Sequence, residues 1–159
     1  MPTNKILVPV DLNHDATFGL VFPVTRQLAR HHSARLHLLT VVPTELALWP
    51  YVPHGFLEET RKLTEAQLQD LGDLNYGDDV DWRSEALTGA IAATIVERAG
   101  ELGVGLIAIA SHDPNFADRL LGGTASRVLR RAHCAVLVLR PGGLWHWDDG
   151  QDSPEGQGA

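Results

Sequence analysis

The sequence is short of the features that tie a chain to an oxidising compartment, a bilayer or a polyanion. Its 159 residues include one cysteine, Cys134, so no intramolecular disulfide can form and the paired-cysteine framework of small secreted domains is excluded. A cytoplasmic setting is the expectation. No apolar run approaches the roughly 20 residues of a membrane-spanning helix, and "ILVPV" between Lys5 and Asp11 is too short for a signal-peptide core. Positive charge is also scarce: 13 Lys and Arg against 20 Asp and Glu give a formal net charge of -7. That balance argues against a dedicated nucleic-acid binder, which needs a clustered basic surface, so neither nucleic acid nor membrane is expected as a partner. The eight histidines show no i,i+4 pair flanking a glutamate and no Cys/His ligand spacing, so no metal site is expected. There is no Gly-x-Ser-x-Gly elbow and no Gly-Lys-Ser/Thr phosphate loop; no catalytic residue stands out.

What is present is an ordinary globular composition, 44% hydrophobic and 21% charged, at a length that suits one domain with a real core. "KILVPVD" is a short β-branched run of the kind buried in parallel sheets. Phe18, Val21, Phe22, Thr25 and Ala29 then recur at helical spacing up to the His31-His32 pair and Ser33. Pro23 predicts a kink in this helix, the alternative being a start near Phe22. "ARLHLLTVVP" reads as a second strand and "TELALWPYVPHG" as a loop with exposed aromatics. A helix is predicted from about Phe56 to Leu74, with Leu63, Leu71 and Leu74 on its inner face and Glu58, Glu59, Arg61 and Lys62 outside it. "VDWRSEAL" is a strand, and Gly89 introduces a helix whose Ile91, Ile95 and Leu102 point one way. "GLIAIAS" is another strand; Ala125, Val128, Leu129 and Ala132 form a core-facing stripe; "AVLVLR" is the last strand.

Strands alternating with helices predict an α/β fold, a doubly wound, mainly parallel five-stranded sheet with helices on both faces. Ligands of such sheets bind outside the carboxyl ends of the strands, where strand order reverses, which directs attention to Asp11, Val41 and the loop after Ala110. Residues 1–140 are expected to form the domain. The stretch 141–159, rich in Gly, Asp, Gln and Ser, is expected to be disordered, with Trp145 and Trp147 as the two residues that could dock.

The most informative segment is "ASHDPNFADRLLGGTASRVLRRAHCAVLVLR", Ala110 to Arg140. Gly122-Gly123-Thr124 opens a helix, and a helix start offers free N–H groups and the positive end of the dipole to an anion. Thr124 could cap the helix, contact a phosphate oxygen, or do both. Arg127 or Arg119 could reach a phosphate, whereas Arg127, Arg130 and Arg131 together fit a solvated helix face. Cys134 reads as a small buried residue rather than a nucleophile.

These segments, "KILVPVD" together with "LIAIASHDPNFADRLLGGTASRVLRRAHCAVLVLR", resemble the universal stress protein family over essentially Lys5 to Arg140. The resemblance implies the adenine nucleotide alpha-hydrolase-like, Rossmann-like fold and a stress-response or regulatory module that binds ATP or another adenine nucleotide. ATP-binding members carry Gly-x2-Gly-x9-Gly-Ser/Thr, which falls here on Ala110, Asp113 and Gly123-Thr124, so two of three glycines are replaced. "ASHDP" and "LLGGT" are similar to a branch reading Ala-Ser-His-Arg-Pro and Leu-Leu-Gly-Ser. By resemblance, Pro9, Val10 and Asp11 line the nucleoside, Val41 flanks adenine, and Ala110, Ser111, His112, Asp113, Gly122, Gly123, Thr124 and Ala125 surround the phosphates. Asp113 either repels phosphate, holds Mg²⁺ to it, or turns away; like charges about 4 Å apart repel by about 1 kcal/mol in water and about 4 near a protein surface. A nucleotide-free interaction protein and a slow Mg-dependent ATPase are the alternatives. The resemblance also implies a homodimer through the last strand, Ala135, Val136, Leu137 and Val138.

Overall fold

The computed structural model describes residues 4–111 and 121–141. Five strands and four longer helices alternate along them: β1 Lys5–Pro9, α1 Phe18–His32, β2 Arg35–Pro43, α2 Phe56–Asn75, β3 Trp82–Gly89, α3 Ile91–Leu102, β4 Leu106–Ala110, α4 Gly123–Arg131 and β5 Ala135–Leu139. Short 3-10 turns at Asp15–Thr17 and Thr44–Leu48 follow β1 and β2. The sheet order is β3-β2-β1-β4-β5, every pairing parallel. The chain winds outward from β1 to β3, returns across the sheet to β4 and winds outward again, so the order reverses between β1 and β4.

Burial on both faces explains the continuous apolar strands. Ile6, Val8, Leu36, Leu38 and Ala108 point to one side, where Val21, Phe22 and Val24 of α1 and Leu68 of α2 cover them. Leu7, Leu39, Ile107 and Ile109 point to the other, against Ile95 and Ala99 of α3 and Ala125 and Val128 of α4. Helix α1 runs unbroken through Pro23 from Phe18, not from Phe22. The carbonyl that proline deprives of a donor is that of Gly19, which is exposed and open to water. Ser33 closes the helix in the left-handed region (φ 49°). Deeper in, Thr25 Oγ1 donates to the Val21 carbonyl at 2.7 Å and meets the Tyr76 hydroxyl at 2.6 Å, and burial pushes the Tyr76 phenol up.

Three predicted helix faces are corrected. Leu63 and Leu74 of α2 are 64% and 81% exposed; the helix buries Leu68 and Gly72 instead, with Leu71 partly covered. The reason is Trp82 of β3, whose ring lies so close over Gly72 that a Cβ there would meet it at 2.2 Å. Arg61, expected outside, is half-buried between Glu58 and Glu65 and reaches the Ala86 carbonyl. In α4, Leu129 faces solvent and only Ala125 and Val128 are buried. Ile91 of α3 is also partly exposed. Trp49 and Tyr51 are exposed as expected. Cys134 is half-buried, and burial pushes its thiol up, away from an activated thiolate. Trp145 and Trp147 lie outside the described residues. Among the described residues no helix is long and apolar enough to cross a membrane.

Candidate functional site

The carboxyl ends of β1, β2 and β4 surround a cavity of about 480 Å³. Chain geometry places each wall. After Pro9, Val10 continues the pairing by donating its N–H to the Leu39 carbonyl at 2.8 Å. Asp11 then starts a turn: Oδ1 accepts the Asn13 N–H at 3.0 Å, and Oδ2 lies 2.6 Å from Nδ1 of His14. Asp11 therefore organises its own turn and also lines the cavity. Val41, at the end of β2, faces the α3 side together with Leu39, next to Ile91 and Ile95 of α3.

The opposite wall comes from β4 and α4. Ser111 follows β4, is 4% exposed and is held by its N–H to the Leu139 carbonyl at 2.8 Å. Its Oγ accepts the Gly122 N–H at 2.9 Å, which ties the start of α4 to the end of β4 and leaves the serine O–H to donate elsewhere. Gly122, two residues before Thr124, occupies the N-cap position, with no side-chain capping bond; the cap that Thr124 could have supplied is corrected, because the Ser111 hydroxyl fastens the turn at Gly122. Thr124 lies in the first turn and lines the cavity. The first i→i−4 bond of α4 runs from the Ser126 N–H to the Gly122 carbonyl, so the N–H groups of Gly123, Thr124 and Ala125 have no acceptor within the helix. With the dipole behind them they form an anion-attracting edge. No lysine or arginine is among the described lining residues, so these N–H groups carry the attraction.

Ten of the twelve candidate residues, Pro9, Val10, Asp11, Val41, Ala110, Ser111, Gly122, Gly123, Thr124 and Ala125, line this one cavity. His112 and Asp113 lie outside the described residues, as does Arg119. Arg127, Arg130 and Arg131 are exposed and do not line it. Among the described residues no cluster of three or more His, Cys, Asp and Glu side chains could hold a metal ion. Sequence reasoning missed the wall supplied by α2, where Thr60, Thr64 and Gln67 face the cavity. Their i, i+4, i+7 spacing was the available signal. It also missed Thr40 of β2 and the carboxylate–imidazole pair that Asp11 makes with His14.

The sequence profile described as the Universal stress protein family matches residues 2–140. Universal stress protein G of Shigella flexneri is 30% identical over 112 residues, covering 66% of this chain and 77% of its own. The structure of universal stress protein UspA from Lactobacillus plantarum is 25% identical with a TM-score of 0.67, covering 88% of this chain and 99% of its own. That of a universal stress protein from Archaeoglobus fulgidus, in complex with dAMP, is 18% identical with a TM-score of 0.57, covering 87% and 99%. The doubly wound α/β fold that the strand order displays is thus the adenine nucleotide alpha-hydrolase-like fold of these proteins.

Proposed function

The chain belongs to the universal stress protein family, and on that premise we propose that its cavity binds an adenine nucleotide and that occupancy of this site underlies a regulatory, stress-responsive role. The observation that carries the reading is the first turn of α4. Three consecutive N–H groups without helical acceptors face the same cavity as the ends of β1 and β2, at the reversal of strand order. Phosphate meets these groups and the Ser111 hydroxyl. The nucleoside lies against Pro9, Val10 and Val41, and Asp11 accepts from ribose hydroxyls with the lone pairs its turn leaves over. The dAMP held by the Archaeoglobus fulgidus relative supports an adenine mononucleotide as the minimal ligand.

These residues fit a nucleotide by donor type, since anion contacts come from backbone N–H groups and a hydroxyl and apolar side chains supply a wall for a base. ATP with Mg²⁺ is the fuller form of the proposal. The described lining offers Asp11 as its one carboxylate, already engaged in its turn, so a metal would depend on Asp113. The site is read as one for binding rather than turnover. A homodimer through β5 is part of the same reading: β5 is an edge strand with Val136, Leu137 and Val138 half-buried, and an apolar edge favours pairing with a second chain.

Native mass spectrometry of the purified protein tests the nucleotide reading. An adenine nucleotide released on denaturation is the expected result. Protein free of nucleotide that also shows no calorimetric signal with ATP, ADP or AMP in Mg²⁺ would overturn it.

A further inference from the structure

The segment between β2 and α2 carries an apolar surface that the cavity does not use. Leu46 of the Thr44–Leu48 turn lines the cavity together with Thr60 and Thr64 of α2, but Leu48 is 81% exposed, Trp49 64% and Tyr51 fully. Tyr51 stands at φ 71°, a left-handed backbone that is strained for a bulky side chain, between Pro50 and Pro53. Its ring and that of Trp49 alone expose on the order of 250–400 Å², a size at which an apolar patch marks an interaction site rather than the scattered hydrophobics of any surface. Residues 44–54 contain no lysine or arginine, so an anionic membrane or a nucleic acid finds no charge there to attract it.

The chain itself holds the matching chemistry. Leu144, Trp145 and Trp147 are the large apolar side chains of residues 142–159, and they stand together just past Pro141, the last described residue. Every strand pairing is parallel, so β5 delivers the chain to the same edge of the sheet as β2 does. In the order β3-β2-β1-β4-β5 these two strands are three spacings apart, about 14 Å, whereas the stretch from Gly142 to Trp147 spans up to about 20 Å. Exposed Leu74 and Leu129 lie near the ends of α2 and α4, helices that return the chain to the opposite edge. Tethering sets the local concentration of the two indoles at on the order of millimolar, so contacts too weak to hold a free partner are populated within one chain.

We infer that the surface formed by Leu48, Trp49 and Tyr51 is the docking site of this chain's own segment Leu144–Trp147. The fit is apolar on both sides: rings and a leucine that the fold leaves in water meet two indoles and a leucine that reach the same edge of the sheet.

The test is proton–nitrogen correlation NMR of the full chain, whose four tryptophans, Trp49, Trp82, Trp145 and Trp147, each give an indole signal. Trp145→Ser with Trp147→Ser should move the Trp49 indole signal and the backbone signals of residues 46–52, and leave in place that of Trp82, whose indole N–H donates to the Gly77 carbonyl. Reciprocally, Trp49→Ser with Tyr51→Ser should move the Trp145 and Trp147 indole signals to the positions they hold in a free peptide of residues 142–150. Both sets of shifts should be unchanged on dilution. The replaced side chains on the domain are exposed, so the fold is not at risk, and the Trp82 signal reports it. Signals of residues 46–52 that stay put when Trp145 and Trp147 are replaced would overturn the inference, as would shifts centred on Leu63, Leu74 or Leu129. Shifts that disappear on dilution would overturn it in favour of a second copy of the chain as the occupant.

Discussion

Replacing Gly123 by alanine separates a glycine kept for folding from one kept for a ligand. Gly123 opens α4 without a left-handed φ, and a Cβ built there meets nothing within 4 Å. Neither backbone strain nor packing therefore opposes the methyl group. Alanine is favoured over glycine by up to about 1 kcal/mol in a helix interior, and about 0.5 kcal/mol is a reasonable share for the first turn and the stiffer unfolded chain. For a chain of this size that raises the unfolding midpoint by about 1–2 °C. The ligand meets the opposite situation, because the methyl stands where phosphate must approach the N–H groups of Gly123, Thr124 and Ala125. Loss of a single charge-assisted hydrogen bond, about 1.5–3 kcal/mol, weakens binding by at least about tenfold. Thermal unfolding of stripped protein and calorimetry with AMP read the two effects separately. An alanine variant that binds as tightly as wild type would refute the placement of phosphate, and one destabilised by more than about 1 kcal/mol would show that the fold itself demands the glycine.

Ser111→Ala leaves the part-buried Gly122 N–H without its acceptor, which should cost about 1–3 kcal/mol and lower the thermal midpoint by roughly 2–4 °C per kcal/mol. Gly72→Ala drives a methyl into the Trp82 ring; overpacking of about 1–3 kcal/mol outweighs a helix gain of about 1 kcal/mol, and the penalty should shrink in a Trp82→Leu background. His37 has its pKa lowered below 6.5 by burial first and then by Arg98, Arg83 and Lys5, with Glu85 at 3.7 Å opposing. Its unfolded state thus binds protons that the native state refuses. Stability from this source is complete above pH 6.5 and declines as pH falls below it, a slope that denaturant titrations should find reduced in His37→Gln. Val136→Lys with Val138→Lys should give monomers by light scattering; an unchanged dimer would remove β5 as the interface.

Strands β1, β4 and β5 were legible because a parallel sheet covered on both faces buries both side-chain parities, and "ILV", "LIAIA" and "AVLVL" carry no polar interruption. The site's strand ends followed from topology: once the order reversed between two strands, Asp11, Val41 and Ala110 had to converge. The inner face of α2 was illegible to a count of leucines because its closest approach to the sheet is made by Gly72, which has no side chain to count, under an indole from β3. Thr60, Thr64 and Gln67 escaped for the complementary reason, since polar residues on a helix read as solvent-facing until a cavity is seen beside them. The Gly122 cap depends on a hydroxyl supplied from Ser111, eleven residues earlier in the chain. No local helix-start rule reaches that far.

The turn Gly123–Ala125 and the ends of β1 and β2 line one cavity, proposed above as a single nucleotide site. Calorimetric titration of the nucleotide-stripped protein with AMP, ADP and ATP, with and without Mg²⁺ and beside guanine and pyrimidine counterparts, tests it most directly. Saturable one-to-one binding of the adenine nucleotides is the expected result, weaker for the other bases and weakened further by Gly123→Ala. Absence of heat and of any shift in thermal midpoint with every nucleotide would contradict it.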